Sequence, residues 1–142
     1  IKTIDVTSIS SETVTVGAGG ASSQDGGVAA PSGSASSFGS HCSGGGGGGG
    51  NNFNAGGAGG SGSSGDVNIK GCGGNGYYQG LNNVDGGGGG TIWGTPKTHA
   101  NAVTNVNGDI YGVGGSGGHR ASNIYHPGGA GYQGIVIVYE YK

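Results

Sequence analysis

The residues that could do chemistry in this chain are few and widely spaced. Four histidines (His41, His99, His119, His126) and two cysteines (Cys42, Cys72) are its soft ligands. None stands at a zinc spacing such as C-x-x-C or H-x-x-x-H, so the expectation is no metal and no cofactor. The acids Asp5, Glu12, Asp25, Asp66, Asp85, Asp109 and Glu140 are dispersed. No close pair suggests the general acid and base of a glycosidase, and no enzyme activity is expected. Gly112-Val113-Gly114-Gly115-Ser116-Gly117 fits the dinucleotide pattern G-x-G-x-x-G, but that fingerprint needs a strand before it and a helix after. With 41 glycines in 142 residues, such a match arises by chance. No Gly-Lys-Ser or Gly-Lys-Thr follows a glycine block, which removes phosphate-loop readings. Two cysteines are too few for a disulfide scaffold. A Cys42–Cys72 bridge and a pair of small buried thiols both stay open, the second being the simpler.

Recognition chemistry is better supplied. Between the glycine blocks lie inserts carrying Tyr77, Tyr78, Asn82, Asn83, His99, Asn101, His119, Arg120, Asn123, Tyr125 and His126. Rigid tyrosine rings provide contact area and short polar groups provide hydrogen bonds, the combination found in adaptable binding loops. These residues are the candidate binding set. Phe38 and Trp93 each follow a Ser- or Gly-rich run and are expected to plug the scaffold. Tyr132, Tyr139 and Tyr141, on or beside the last apolar run, are expected to pack or to lie between subunits.

The elements that must position these residues are made of glycine, in blocks at 44–50, 56–60, 86–90, 112–118 and 128–131. Glycine loses more backbone freedom on folding than any other residue, so a repetitive scaffold has to compensate. Disorder is the competing reading. Against it, the chain is only 8% charged, has three prolines and carries Trp93 and seven tyrosines. Its ends also look like strands: 13–16 alternates β-formers, and 135–141 is a β-branched run. No insert has the i, i+3, i+4 apolar spacing of a helix. Left-handed helices with three residues per turn and no internal hydrogen bonds can pack closely when side chains are missing. The expected fold is therefore helix-free: a bundle or sandwich of polyglycine II helices over 17–134, flanked by an N-terminal β segment at 1–16, with a possible hairpin, and a C-terminal strand at 135–142. Collagen is excluded by the missing Gly-X-Y register and the scarcity of proline.

Lys2, Lys70, Lys97, Arg120 and Lys142 are scattered and the net charge is −2, so nucleic acid is not an expected partner. No apolar run approaches the ~20 residues of a membrane span, and no membrane insertion is expected. With no Met in the chain and no leader before Ile1, the expectation is a piece of something longer.

Several ordered steps in the sequence carry a resemblance: Val14-Thr15-Val16-Gly17-Ala18-Gly19-Gly20-Ala21, Ser36-Ser37-Phe38-Gly39-Ser40, Ser64-Gly65-Asp66-Val67-Asn68-Ile69-Lys70-Gly71, Thr91-Ile92-Trp93-Gly94 after a glycine block, the 111–118 run, and Gly131-Tyr132-Gln133-Gly134-Ile135-Val136-Ile137-Val138-Tyr139-Glu140-Tyr141. Together they resemble the glycine-rich C-terminal domain of bacteriophage tail fibres, over nearly the whole chain. The resemblance implies a receptor-binding tip at the distal end of a virion's tail fibre, with variable loops that touch a bacterial surface protein or glycan. It also implies a homotrimer formed through an upstream shaft. The segment before the glycine region is too short for a separate attachment domain, which favours a fused fibre domain. The rival reading is a non-phage polyglycine II protein, structural or ice-binding.

Overall fold

A computed structural model describes residues 1–22, 29–50, 56–75, 86–95, 97–98, 106–121 and 124–141. Among these residues there is no helix. A four-stranded antiparallel sheet runs in the order β1 (Val14–Thr15), β2 (Ser36–Phe38), β3 (Cys42–Gly44), β4 (Gly62–Ser63). Its register pairs Val14 with Phe38, Ser37 with Ser43, and Gly44 with Gly62. A separate hairpin joins β5 (His119–Ala121) to β6 (Ile124–His126). Between β2 and β3 the chain reverses at Gly39, whose φ of 50° lies where side chains are disfavoured.

Beyond the sheet, the glycine segments are joined by hydrogen bonds that recur every third residue. The N–H groups of Ala30 and Gly33 donate to the carbonyls of Gly50 and Gly47, and those of Gly45 and Gly48 to Ser61 and Ala58. Gly71 and Gly74 donate to Gly60 and Gly57, while Cys72 and Asn75 in the same segment donate to Gly90 and Gly87. Gly114 and Gly117 donate to Gly89 and Gly86, Gly129 and Tyr132 to Ser116 and Val113, and Gly131 and Gly134 to Gly20 and Gly17. A β-ladder addresses one neighbour at every second residue. A repeat of three instead sends consecutive N–H groups toward different neighbours, as Gly71 and Cys72 show.

Each of these pairings is antiparallel, because one partner's number rises as the other's falls. Followed in order, segments 17–22, 29–36, 44–50, 56–61, 70–75, 86–91, 112–118 and 127–134 form a closed cycle, the last bonded back to the first. A cavity of about 590 Å³ lies among them, lined mainly by glycine.

Close approach, rather than unusual φ, explains most of the glycine here. Only Gly39 and Gly112 among the described glycines have positive φ. In segment 56–61, a Cβ on Gly57 would overlap the Gly48 carbonyl and one on Gly59 the Gly71 carbonyl, whereas the intervening residue is Ala58, which is exposed. Glycine thus occupies the two contacting faces of this segment and a side chain is carried on the third. The same spacing sets Ala18 and Ala21 outward on segment 17–22.

Conventional burial is confined to a few side chains. Val113 is fully buried, and Ser36 and Ser116 are nearly so. Ser36 Oγ accepts the N–H of Gly17 at 2.9 Å, and Ser116 Oγ that of Val106 at 3.1 Å, so neither buried hydroxyl is idle.

Several expectations need correction. The C-terminal run 135–141 forms no strand within the chain: its β propensity is real, but a strand needs an edge to pair with. The first segment contributes only β1, with a turn at Thr7–Ser8 closed by the Ile9 N–H to the Val6 carbonyl, and no hairpin. Trp93 does not plug the scaffold; it sits in the 91–94 turn and is 54% exposed. Phe38 is half-buried and packs against the His41 ring at 5.8 Å. Cys42 and Cys72 are unbridged, and Cys72 is exposed rather than buried.

Candidate functional site

Since neighbouring segments run in opposite directions, their connections must fall at two ends. Gly44, Ser61 and Lys70 lie at the end where β2 turns into β3, and so do Thr91, Gly112 and Gly134, as the hydrogen-bond registers require. Gly50, Gly56, Asn75, Gly86, Gly117 and Gly128 lie at the opposite end. The segment containing Lys97 and Thr98 runs the same way, toward the level of Gly87.

The described residues that flank the inserts carrying the candidates lie at this second end. Tyr77, Tyr78, Asn82 and Asn83 lie outside the described residues, as do His99, Asn101 and Asn123. Their inserts are flanked by Asn75 and Gly86, by Thr98 and Val106, and by β5 and β6. Of the remaining candidates, His119 and Arg120 are on β5 and Tyr125 and His126 on β6. The register places His119 opposite His126 and Arg120 opposite Tyr125. The hairpin therefore draws four positions, separated by up to seven residues in sequence, into two cross-strand pairs.

The first end has a different chemistry. Its connections are short: the β2–β3 reversal, the turn through Ser64 to Asn68, the 91–94 turn and the 109–112 turn. Lys2 Nζ meets Asp66 Oδ1 at 2.7 Å, and the Thr3 N–H donates to Asp66 Oδ2 at 2.8 Å. These two hydrogen bonds, the Lys2 one foremost, hold the Asp66 carboxyl below its ordinary 3.8. His41 Nε2 lies 3.0 Å from Glu12 Oε2; between the two ends, Lys97 Nζ lies 2.7 Å from Asp109 Oδ2. Exposed apolar residues on segments that reach this end include Ile1, Ile92 and Trp93, and the run that follows Gly134 carries exposed Tyr139 and Tyr141. Tyr111 and Tyr132 meet edge to face at 5.8 Å.

Sequence reasoning missed the concentration of apolar surface at this end, although the short apolar steps Thr91-Ile92-Trp93 and Asp109-Ile110-Tyr111 beside glycine blocks were its signal. It also missed Val113, the lone large apolar residue in the 112–118 run. Among the described residues, no group of three or more His, Cys, Asp or Glu could hold a metal ion. The cavity lining includes no carboxylate or imidazole among those residues; it is mainly glycine backbone, with Lys70, Cys72, Tyr111 and Tyr132 as its titratable side chains. Compared with known proteins, the chain matches no family model, no curated protein and no solved structure.

Proposed function

We propose that this chain is a receptor-binding tip domain of a bacteriophage tail fibre, in which polyglycine II rods carry loops that bind a protein or glycan on the bacterial surface. The observation that carries the reading is topological. Segments alternating in direction deliver the flanks of the inserts 76–85 and 99–105 and the base of the β5–β6 hairpin to one end of the bundle. A binding surface assembled from several loops needs that convergence, and a rigid scaffold lets such loops vary without loss of the fold. Rods with three residues per turn account for the three-residue hydrogen-bond repeat, and their close approach accounts for the glycine on contacting faces. The domain binds and does no covalent chemistry; in an oligomeric fibre, several copies would add avidity.

The test is to exchange inserts 77–85 and 119–127 for those of a related fibre and to measure adsorption to host cells. A changed host range or lost adsorption, with the thermal melt unchanged, is the expected result. Unchanged adsorption and host range would remove these loops from the site.

A further inference from the structure

Segment 106–108 lies between 112–118 and 127–134, and hydrogen bonds to both hold it there. The Val106 N–H donates to Ser116 Oγ at 3.1 Å, and the Val106 carbonyl accepts the Ser116 N–H at 2.7 Å. The Gly108 N–H donates to the Ala130 carbonyl at 2.8 Å, and the Ala130 N–H donates to Asn107 Oδ1 at 2.9 Å. Both residues of the Asn107–Gly108 step are thus set by the structure. A Cβ on Gly108 would overlap the Val113 carbonyl, and the Asn107 amide is the acceptor that satisfies the Ala130 N–H. The fold thereby places in succession two residues prone to react with each other. The amide carbon of an asparagine is within reach of the next residue's backbone nitrogen, where attack closes a five-membered ring, and glycine has no Cβ to hinder the approach.

We infer that Asn107 is a modification site, at which the side chain cyclises onto the Gly108 nitrogen and reopens as isoaspartate at a rate that local opening of 106–108 controls. In the first step the Gly108 nitrogen attacks Cγ of Asn107. The N–Cγ bond forms, the Cγ–Nδ2 bond breaks, and ammonia leaves with the proton that the Gly108 nitrogen gives up. Water then adds to one of the two ring carbonyls, and the ring opens to aspartate or to isoaspartate. No other reactant is required. The closed structure opposes the first step twice, and Ala130 supplies both restraints. Its carbonyl holds the proton that Gly108 must lose, and its N–H holds the amide oxygen, so Cγ moves onto the nitrogen only as that bond breaks. Gly108 is also buried, which keeps hydroxide from its N–H. The reaction therefore proceeds from the open segment, and the fraction of time spent open sets its rate. Isoaspartate runs the main chain through the former side chain and so inserts an extra carbon before the Gly108 nitrogen. The Gly108 N–H then no longer meets the Ala130 carbonyl while Val106 stays on Ser116, and the conversion releases 106–108 permanently. Val106 borders the insert 99–105, so the release loosens the second end. The inference stands whether or not the inserts bind a receptor.

To test it, the 142-residue chain is incubated at neutral pH in buffer and in concentrated urea, then cleaved by trypsin after Lys97 and Arg120. The 98–120 peptide is read by mass spectrometry, with fragmentation that separates isoaspartate from aspartate. Conversion at Asn107 is expected in both solutions and should be slower in buffer by about tenfold or more, as for a reaction that waits on local opening. Ser116→Ala takes the acceptor from the Val106 N–H. It should speed conversion in buffer severalfold, in step with faster exchange of the Gly108 amide, and leave the rate in urea unchanged. Equal parent rates in buffer and urea overturn the proposal, as does an Asn107 that stays intact in urea. So does a variant whose Gly108 amide exchanges faster while Asn107 converts no faster. Should the variant fail to fold, its rate in buffer must rise to the rate in urea, and one that stays at the parent's native value overturns the proposal as well.

Discussion

The two ends of the bundle are built from the same segments and share almost nothing else. At the end of β1–β4, connections are short, ion pairs are satisfied locally and apolar side chains crowd the surface. At the other end the inserts are longer and richer in Tyr, Asn and His. The difference follows from alternating direction: each connection is committed to one end by its place in the order of segments. Changes in one set of loops therefore need not disturb the other, provided the glycine scaffold between them is intact.

The largest effect should come from breaking that shared scaffold. A Cβ on Gly49 would overlap the Ala30 carbonyl, whereas one on Gly47 would meet nothing closer than the Ala58 carbonyl at 3.7 Å. Gly49→Ala is expected to cost about 3 kcal/mol or more, as overpacking against fixed backbone does, and to lower the melting temperature by roughly 10 °C. Gly47→Ala, with room for its methyl, should gain about 0.4–1 kcal/mol by restricting the unfolded chain. Thermal unfolding followed by circular dichroism distinguishes them, and equal losses would deny that the glycine faces differ.

Next in size is the junction between scaffold and sheet. Ser36→Ala leaves the Gly17 N–H without its buried acceptor, and the expected cost is about 1–3 kcal/mol. Denaturant unfolding measures it. A neutral result would mean that water replaces the hydroxyl.

The ends themselves can be separated by paired experiments. Exchanging insert 119–127 should alter adsorption and leave the thermal melt unchanged, while Ser36→Ala should do the reverse. A single change that moves both readouts together would break the division between ends.

The smallest effect is expected at Asp66. Its carboxyl is held low by Lys2 and then by the Thr3 N–H, so its contribution is present above the ordinary value of 3.8 and is lost as pH falls through the lowered value. Titrating the Thr3 amide resonance should show the first residues releasing from the 64–68 turn only below that range. Asp66→Asn should abolish the step.

Part of this organisation was legible in the residues. β1 falls within the alternating 13–16 stretch, and the lack of helical spacing agrees with the lack of helix among the described residues. The outward position of Ala58 was also open to reading, because Gly56-Gly57-Ala58-Gly59-Gly60-Ser61 places a non-glycine at every third residue. The pairing order of the segments was not legible, since a run such as 44–50 has no side chains to distinguish one register from another. Hence the hairpin of β2 and β3 was missed, and the opposition of two ends could not be deduced. The strand expected at 135–141 failed for a different reason: propensity describes a segment, whereas pairing depends on an available edge.

The central claim, that the scaffold repeats every three residues, is tested most directly by amide hydrogen exchange along 70–75, resolved residue by residue. Gly71 and Gly74 bond to one neighbour and Cys72 and Asn75 to another, while the exposed Gly73 N–H makes no hydrogen bond. Protection at Gly71, Cys72, Gly74 and Asn75 with fast exchange at Gly73 is the predicted result. Protection at alternate residues, as in a β-ladder, or at none of them would contradict the account.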